Sequence, residues 1–250
     1  MALGVPARLN MPTPTAAQAA LAPALAKRHV VAVVPAYNEG DAVVDVLHEC
    51  LRHVDRVVLV DDASSDGTSL RAARPGIDVL RHPVNLGQGA ALQTGILHAL
   101  AHGATHIVTL DADGQHDPAQ IARMLTAMEA AGADVALGSR FKGEAIGMPP
   151  VRRLVLRLAV LFTRATTGLD VTDCHNGFRV FTAPAARELR IRQNRMAHAS
   201  EILEEIARKR MPYVEVPVTI RYTDYSKAKG QSSFNSFNIL MDLVLHWLRK

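Results

Sequence analysis

Apolar positions alternate between two patterns along residues 29 to 138. Short runs rich in valine, isoleucine and leucine are typical of strands buried on both faces. Between them, apolar residues recur every three to four positions, as in amphipathic helices. The predicted strands are His29–Pro35, Arg56–Val60, Ile77–Leu80, a strand from His106, and Asp134–Gly138. The predicted helices are Asp41–His53, Ser69–Arg74, one from Asn85 to about His102, and Pro118–Ala131.

Strands and helices that alternate at this short spacing predict an α/β fold, with a mostly parallel sheet covered by helices on both faces. Right-handed crossovers would bring the carboxyl ends of the strands to one edge, where open α/β sheets bind ligands. Polar clusters follow five strands, and we therefore expect a ligand site at this edge. The clusters are Tyr37-Asn38-Glu39, Asp61-Asp62, Asn85, Asp111-Asp113 and Ser139-Arg140.

After Arg140 the regular alternation stops, and two amphipathic helices are predicted. The first, Val151–Thr166, has a basic face and an apolar face, a pattern of surface helices and also of helices lying in an anionic membrane interface. The second is Phe234–Lys250, where Trp247 fits an interfacial anchor. Packing against the core or against a second subunit, giving a homodimer, would explain it equally. Between the helices lie the predicted strand Val180–Thr182, helix Ala199–Lys209, strand Tyr213–Tyr222 and the basic loop Thr223–Ser233.

The stretch Ile107–Pro118 concentrates oxygen ligands where a buried strand ends. Alternate residues of an extended chain point the same way, so Asp111, Asp113 and Gln115 could converge on one point. Two carboxylates and an amide oxygen suit Mg²⁺ or Mn²⁺, which keep positions open for water and substrate phosphates. A helix cap by Asp117 followed by Pro118 is the simpler alternative. Capping explains Asp117 but leaves the two upstream carboxylates unexplained.

Composition narrows the possible partners. Hydrophobic residues make up 48% of the 250-residue chain and charged residues 21%, as in an ordinary globular protein. The net charge is +4, and the basic excess lies in the C-terminal part, which favours an anionic surface or substrate there. Aromatic residues are only 4%, too few for the stacking platforms that bind single-stranded nucleic acid, so no nucleic-acid partner is expected. Two cysteines, Cys50 and Cys174, are too few for a disulfide scaffold and indicate a reducing compartment.

Three segments follow from these patterns. Residues 1–28 are rich in alanine and proline without periodicity, which predicts a disordered leader and not a signal peptide. Residues 29–233 form the predicted domain, and 234–250 the C-terminal amphipathic helix. No stretch reaches the ~18 to 20 apolar residues of a membrane-spanning helix. We therefore expect a cytoplasmic protein, peripheral on the inner face of the membrane.

Six sequence blocks resemble those of a known family. They occur in order from about Val30 to Ser233, and such ordered blocks at strand ends are more specific than a lone Asp-x-Asp. The chain resembles the family 2 glycosyltransferases of the GT-A fold, nearest the dolichyl- or polyprenyl-phosphate mannose synthase branch. The blocks are Pro35-Ala36-Tyr37-Asn38-Glu39, Val60-Asp61-Asp62-Ala63-Ser64-Ser65-Asp66-Gly67-Thr68, Asn85-x-Gly87-x-Gly89, Asp111-Ala112-Asp113-Gly114-Gln115-His116, Gly138-Ser139-Arg140 and Asn176-Gly177-Phe178-Arg179.

The resemblance implies a role for each block. A GDP- or UDP-linked sugar would be the donor, and a divalent cation would bridge its diphosphate. Asp62 would accept a hydrogen bond from the base. The implied site residues are Pro35, Tyr37, Glu39 and Asp62 for the nucleoside; Asp111, Ala112, Asp113 and Gln115 around the cation; and Arg140, Lys227 and Lys229 for phosphate charge. In the basic loop the chain departs from the branch, because Lys227 stands where Arg is expected and Gly230-Gln231-Ser232-Ser233 ends in Ser instead of Lys.

The acceptor decides whether the reaction needs a general base. A polyprenyl phosphate is already largely a dianion at neutral pH, since its second pKa is about 6. A sugar hydroxyl would need a carboxylate within reach, and Asp173 is the candidate, with a turn residue as the alternative. The catalytic set is thus Asp173, Asp113 and Arg140. Transfer to a polyprenyl phosphate is the expected function; transfer to a glycan or lipid-linked sugar hydroxyl, and non-catalytic nucleotide-sugar binding or membrane adaptation, are the alternatives.

Overall fold

The computed structural model describes residues 28–195 and 197–222. The basic loop with Lys227 and Lys229, the predicted C-terminal helix and the predicted leader apart from Arg28 lie outside the described residues. Seven strands are present: β1 (Val30–Ala36), β2 (Arg56–Asp61), β3 (Ile77–Arg81), β4 (His106–Thr109), β5 (Val135–Ile146), β6 (Arg179–Thr182) and β7 (Tyr213–Arg221). The α-helices are α1 (Ala42–Leu51), α2 (Thr68–Ala72), α3 (Gln88–Ala101), α4 (Ile121–Ala130), α5 (Pro150–Thr167), α6 (Ala183–Glu188) and α7 (His198–Arg208).

The seven strands form one sheet in the order β3-β2-β1-β4-β6-β5-β7. Strand β6 runs antiparallel to both of its neighbours, and all other neighbouring strands are parallel. The prediction of a mostly parallel sheet is confirmed. Because β6 is reversed, its amino end lies at the edge where the other strands have their carboxyl ends. The block that enters β6, Asn176–Arg179, therefore reaches the same edge as the acidic stretch after β4.

Helices cover both faces of the sheet, as the alternation predicts. Helices α1 and α4 pack on one face and helices α3, α5, α6 and α7 on the other. Successive residues of β1 and β2 enter the two cores in turn, since side chains alternate across a strand. Both cysteines are buried and free within these cores.

Most predicted elements agree with the structure to within two residues, but β5 does not. The prediction ended it at Gly138, whereas the strand continues to Ile146 and pairs with β7 beyond an irregularity between Ser139 and Glu144. Helix α6 was not predicted. The predicted helix Pro118–Ala131 starts as a 3₁₀ turn, Pro118–Gln120, which Asp117 caps by accepting a hydrogen bond from Ala119 N (3.0 Å).

Helix α5 leaves an apolar stripe uncovered, and the prediction of one apolar face was too simple. Its core-facing residues are Leu156, Ala159, Val160 and Thr163. Four other apolar residues, spaced by three or four positions, are 44–61% exposed: Val151, Leu154, Leu158 and Leu161. Within the described residues, every helix is too short or too polar to cross a bilayer.

Candidate active site

The two loops that follow β1 and β2 at the carboxyl edge are hydrogen-bonded to each other. Asn38 N donates to Ser64 Oγ (2.9 Å), and Ser65 N donates to the Asn38 side chain (2.8 Å). Gly40 N donates to Asp66 Oδ2 (2.7 Å), and the pKa of Asp66 is lowered because hydrogen bonds to its carboxylate outweigh its burial. Much of the Asp-Asp-Ala-Ser-Ser-Asp-Gly-Thr block therefore serves to shape these loops.

Asp62 points inward and holds the loop that precedes α3. It is 3% exposed and accepts hydrogen bonds from Leu86 N (2.8 Å) and Gly87 N (2.6 Å). His82 Nδ1 lies 2.8 Å from Asp62 Oδ1, and His82 Nε2 lies 3.0 Å from Thr94 Oγ1. The resemblance implied that Asp62 accepts a hydrogen bond from the base, and that role stays a prediction; in the structure both of its oxygens accept hydrogen bonds from backbone amides.

The acidic stretch after β4 places hydrogen-bond partners around Asp111. Gln88, the first residue of α3, donates from Nε2 to Asp111 Oδ1 (2.7 Å). His116 Nε2 lies 3.2 Å from Asp111 Oδ2, so both oxygens of this carboxylate have a neighbour. Asp113 Oδ1 accepts a hydrogen bond from Gln115 N (3.0 Å), which closes the turn. Gln88 was not identified from sequence, although it lies between Gly87 and Gly89 in one of the six blocks.

The two carboxylates have opposite electrostatic environments. Burial raises the pKa of Asp111, but the hydrogen bond with His116 and nearby positive charge, including Arg179, outweigh it and lower the pKa overall. Burial, followed by the charge of Asp111, raises the pKa of Asp113 to about 6, and the charge of Glu39 adds to the effect. Glu39 therefore lies close enough to Asp113 for its charge to act on that carboxyl group. Negative charge accumulates here, as at a cation-binding site.

The segment that precedes β6 packs directly against the Asp111 carboxylate. Thr109 Oγ1 donates to Gly177 O (2.8 Å), which joins β4 to this segment. A Cβ atom at Gly177 would lie 2.6 Å from Asp111 Oδ2, so the carboxylate occupies the space that a side chain would fill. Arg179 is 2% exposed, and the charge of Asp111 acts on its guanidinium. The Asn-Gly-Phe-Arg block therefore contacts Asp111 through Gly177 and places the positive charge of Arg179 near it.

Arg140 and Asp173 form a buried ion pair. Asp173 Oδ2 accepts from Arg140 Nε (2.6 Å) and from Arg140 N (3.1 Å), and both side chains are at most 4% exposed. Arg140 Nη1 donates to Tyr222 Oη (2.7 Å), and Nη2 donates to His175 O. Burial raises the pKa of Asp173, but the charge and hydrogen bonds of Arg140 outweigh it and lower the pKa overall. The structure thus brings these two predicted residues into direct contact.

Arg152, which sequence reasoning did not single out, joins this group. Its guanidinium lies 5.2 Å from the centre of the Tyr222 ring, and the charges of Arg140 and Asp113 act on it. Its Nε is buried without a hydrogen-bond partner among the described residues. The available signal was a basic residue in the first turn of a helix that Pro149-Pro150 starts close to the Ser-Arg block.

Three further predicted residues, Pro35, Ala112 and Tyr37, lie in the described part of the chain. Pro35 and Ala112 are buried, whereas Tyr37 is 46% exposed at the rim. Burial lowers the pKa of His175 and of His198 to about 4, so both rings are neutral at pH 7. Lys227 and Lys229 lie beyond the described residues and remain a prediction.

The donor set suits a divalent cation, although it forms no closed protein cage within the described residues. Among residues 28–195 and 197–222, no three His, Cys, Asp or Glu side chains surround a point that could hold a metal ion. Mg²⁺ is commonly held by one or two carboxylates plus substrate phosphates, so two aspartates are enough. Gln115 Nε2 is buried without a partner in the described part, so no hydrogen bond of that nitrogen prevents the amide from turning its oxygen to a cation. Burial and, after it, the charge of Asp111 raise the pKa of Asp113, and a bound cation would favour its ionised form.

A mostly parallel sheet with paired aspartates at its carboxyl edge is an arrangement suited to binding a nucleoside-diphosphate sugar. The family profile described as "Glycosyl transferase family 2" matches residues 31–190. The chain belongs to this family and is a glycosyltransferase, as the blocks predicted.

Named relatives and a solved structure are similar to most of the chain. It is 29% identical to the UDP-N-acetylglucosamine–dolichyl-phosphate N-acetylglucosaminyltransferase of Methanococcus voltae, over 88% of this chain and 97% of the relative. It is 31% identical to the undecaprenyl-phosphate mannosyltransferase of Micrococcus luteus, over 80% and 86% respectively. The crystal structure of glucosyl-3-phosphoglycerate synthase from Mycobacterium tuberculosis with Mn²⁺, UDP and phosphoglyceric acid has a TM-score of 0.65 at 20% identity, covering 94% of this chain and 84% of that one. This likeness shows the shared fold and confirms the GT-A prediction.

Proposed function

We propose that this enzyme moves a sugar from a nucleoside-diphosphate sugar to the phosphate of a polyprenyl phosphate. Two relatives, at 29% and 31% identity, are named for transfer to such acceptors and support the proposal. The single observation that carries it within this chain is the buried pair of Arg140 with Asp173.

The Arg140–Asp173 ion pair helps to distinguish the two acceptor classes, because Asp173 is the candidate general base for a hydroxyl acceptor. Asp173 is 3% exposed, and its oxygens accept from Arg140 and from backbone amides. A carboxylate held in this way, with a lowered pKa, is a poor acceptor for a proton from a sugar hydroxyl. An ionised phosphate needs no such base. Asp173 then keeps Arg140 in place, and its catalytic role is positional.

Positive charge on the acceptor side also fits a phosphate. Arg140 and Arg152 both approach Tyr222, and Arg152 Nε has no partner among the described residues. Lys227 and Lys229 follow Tyr222 in the sequence by five and seven positions. Guanidinium groups bind phosphate oxygens through directed, charge-assisted hydrogen bonds. We propose that Arg140, Arg152 and these lysines share the acceptor phosphate and the donor diphosphate.

On the donor side, the chain would bind and orient the diphosphate through its carboxylates. Tyr37 and Glu39 would hold the nucleoside at the rim, and Asp111, Asp113 and the Gln115 oxygen would hold Mg²⁺ or Mn²⁺. The cation, when bound, would stabilise the negative charge that develops on the leaving diphosphate. Gln88 and His116 would keep Asp111 oriented, since ligand carboxylates are commonly hydrogen-bonded in turn.

The exposed stripe of α5 supports a peripheral position on the membrane. Val151, Leu154, Leu158 and Leu161 are 44–61% exposed on a helix that also carries exposed Arg153 and Arg157. An apolar stripe next to basic residues suits the interface of an anionic bilayer. Arg152 lies in the first turn of this helix, so the same element carries part of the proposed phosphate site and the exposed apolar stripe. The acceptor would thus be reached from the inner, cytoplasmic membrane face.

A paired acceptor assay tests the function. Purified full-length enzyme is incubated with UDP- and GDP-sugars and Mg²⁺ or Mn²⁺, together with either undecaprenyl phosphate or undecaprenol. We expect a lipid-linked sugar from the phosphate and none from the alcohol, which differs by the phosphate alone. Transfer to a glycan or alcohol hydroxyl, with none to the phosphate, would contradict the proposal in favour of the hydroxyl class.

A further inference from the structure

Glu215 is a buried carboxylate on β7, the last strand of the sheet. Its side chain is 1% exposed. Burying a carboxylate is costly unless hydrogen bonds and opposite charge compensate for the lost water. The partners of Glu215 therefore indicate why a glutamate occupies this strand position.

Three of its hydrogen bonds reach one short segment, Thr172-Asp173. Glu215 Oε1 accepts from Thr172 N (2.6 Å) and from Asp173 N (3.2 Å), and Oε2 accepts from Thr172 Oγ1 (2.9 Å). Two consecutive amides bound to one oxygen fix the peptide plane between these residues. The direction in which the Asp173 side chain leaves the backbone is fixed with it.

From Asp173 the contacts lead to Arg140 on the neighbouring strand. Asp173 Oδ2 accepts from Arg140 Nε at 2.6 Å. Strands β5 and β7 are paired in parallel, with Leu137 opposite Glu215, and Ser139 Oγ lies 2.6 Å from Thr172 Oγ1. The guanidinium is thus oriented by a carboxylate that is itself held by Glu215.

A simpler role for Glu215 would be charge compensation of Lys142, whose Nζ lies 3.1 Å from Oε2. The Lys142 side chain is 44% exposed, and ion pairs with such exposed groups contribute little. Three of the four polar partners belong to Thr172-Asp173, so that segment accounts for most of what Glu215 does.

We propose that Glu215 is a positioning residue that sets the orientation of the Arg140 guanidinium through Asp173. Its consequence for acceptor binding rests on the proposed function, in which Arg140 holds phosphate. The orientation itself does not depend on what the enzyme transfers. Misplacement of a binding group by about 1 Å can cost on the order of 10²-fold in rate, so a support of this kind matters to activity.

The test combines a spectroscopic readout with kinetics. In the full-length protein, the ¹⁵Nε–Hε resonance of Arg140 is assigned by its loss in Arg140→Lys, and its solvent exchange is measured. Glu215→Ala should shift this resonance and speed its exchange at least tenfold. The same variant should raise the KM for undecaprenyl phosphate ~10- to 100-fold while leaving the Kd of the donor nucleotide within about twofold.

Two further variants make the result decisive. Lys142→Met removes the ion pair but keeps every bond to Thr172-Asp173, so it should leave the resonance and the KM unchanged. Glu215→Gln keeps one acceptor oxygen and should give a smaller change in the same direction, and it replaces Glu215→Ala should that variant not fold. An unshifted Arg140 resonance in the folded Glu215 variant would overturn the proposal. A wild-type enzyme that ignores undecaprenyl phosphate would instead contradict the proposed function, and the resonance would still decide the role of Glu215.

Discussion

The Asp111 carboxylate lies directly against Gly177, where an added Cβ atom would come within 2.6 Å of Oδ2. Gly177 does not have a positive φ, so alanine is excluded by contact and not by backbone conformation. We expect Gly177→Ala to displace Asp111 and weaken Mn²⁺ binding ~10- to 100-fold, as changes to groups that support metal ligands do. Calorimetric titration with Mn²⁺ measures this.

The control for that prediction is the same change in a protein without the Asp111 charge. Gly177→Ala combined with Asp111→Asn should bind Mn²⁺ no more weakly than Asp111→Asn alone, because contacting residues are not additive. Equal losses in both backgrounds would show that Gly177 acts independently of Asp111.

The paired aspartates should be essential to transfer. Asp111→Asn or Asp113→Asn should lower the rate on the order of a thousandfold, because a group that offsets leaving-group charge contributes several kcal/mol to the transition state. Circular dichroism should remain that of a folded protein. Undiminished wild-type activity in EDTA, after thorough metal removal, would contradict the metal site.

Mn²⁺ affinity should fall as the pH drops through about 6. The pKa of Asp113 is raised to about 6, and a metal ligand must be deprotonated. At pH 5 the protonated form would outnumber the ionised form by ~10 to 1, so the Kd should be roughly tenfold weaker than at pH 7. Asp113→Asn should bind weakly at both pH values and show no such step. If the Kd of the wild type for Mn²⁺ is the same at pH 5 and pH 7, the raised pKa of Asp113 is contradicted.

Loss of the Asp173 charge should destabilise the fold. Asp173→Asn leaves the buried Arg140 charge uncompensated, at a cost of about 3–5 kcal/mol in the free energy of unfolding. Because the pKa of Asp173 is lowered, this contribution is present above its unfolded value near 4 and is lost as the pH falls through the folded pKa. Urea titrations of both proteins at pH 7 measure the difference. A double variant with apolar residues at both positions should recover part of the loss.

The same residue separates the two acceptor classes through the pH dependence of the wild-type rate. With Mn²⁺ kept saturating at every pH, so that titration of Asp113 does not shape the profile, a phosphate acceptor gives an acidic limb near its second pKa, about 6. A carboxylate base would give a limb at the pKa of Asp173, together with a loss of ~10² to 10⁴-fold in Asp173→Asn. We expect the phosphate limb. A loss above a thousandfold with structure and donor binding intact would favour the hydroxyl class.

The α5 stripe should bind anionic vesicles. Flotation with phosphatidylglycerol-containing liposomes should recover the protein at low salt and less at high salt, since each basic residue near the surface contributes roughly 1 kcal/mol. Leu154→Gln combined with Leu158→Gln should reduce recovery, whereas Leu70→Gln, at an 82% exposed residue on α2, should not. If the wild-type protein does not float with the liposomes at low salt, the proposed binding of the stripe to lipid is wrong.

Much of the fold followed from the spacing of apolar residues, and the exceptions have physical causes. The extension of β5 from Ser139 to Ile146 includes Lys142, Gly143 and Glu144, so it lacks an apolar alternation and depends on pairing with β7. The direction of β6 is not encoded in its four residues, of which only Val180 and Phe181 are apolar. Both features depend on contacts between distant segments, which periodicity does not report.

The candidate site was predicted in its residue types more fully than in its contacts. Asp111, Asp113 and the Arg140 block were found because polar residues at strand ends stand out. The engagement of Asp62 by Leu86 N and Gly87 N requires knowing which loop lies opposite. The sequence shows where an aspartate is, but it does not show whether its carboxylate accepts hydrogen bonds from the protein backbone or faces a ligand.

The reversed strand β6 also has a consequence for synthesis on the ribosome. Thr109 meets Gly177, 68 residues later in the chain, so β4 stays an unpaired sheet edge until the segment around β6 has emerged. At ~5–20 residues per second this interval lasts several seconds. Exposed edges invite pairing with other chains, and β4 is short, at four residues, which limits that hazard. The contact of Gly177 with Asp111 would form only once β6 has paired with β4. We therefore expect metal affinity to appear late in translation.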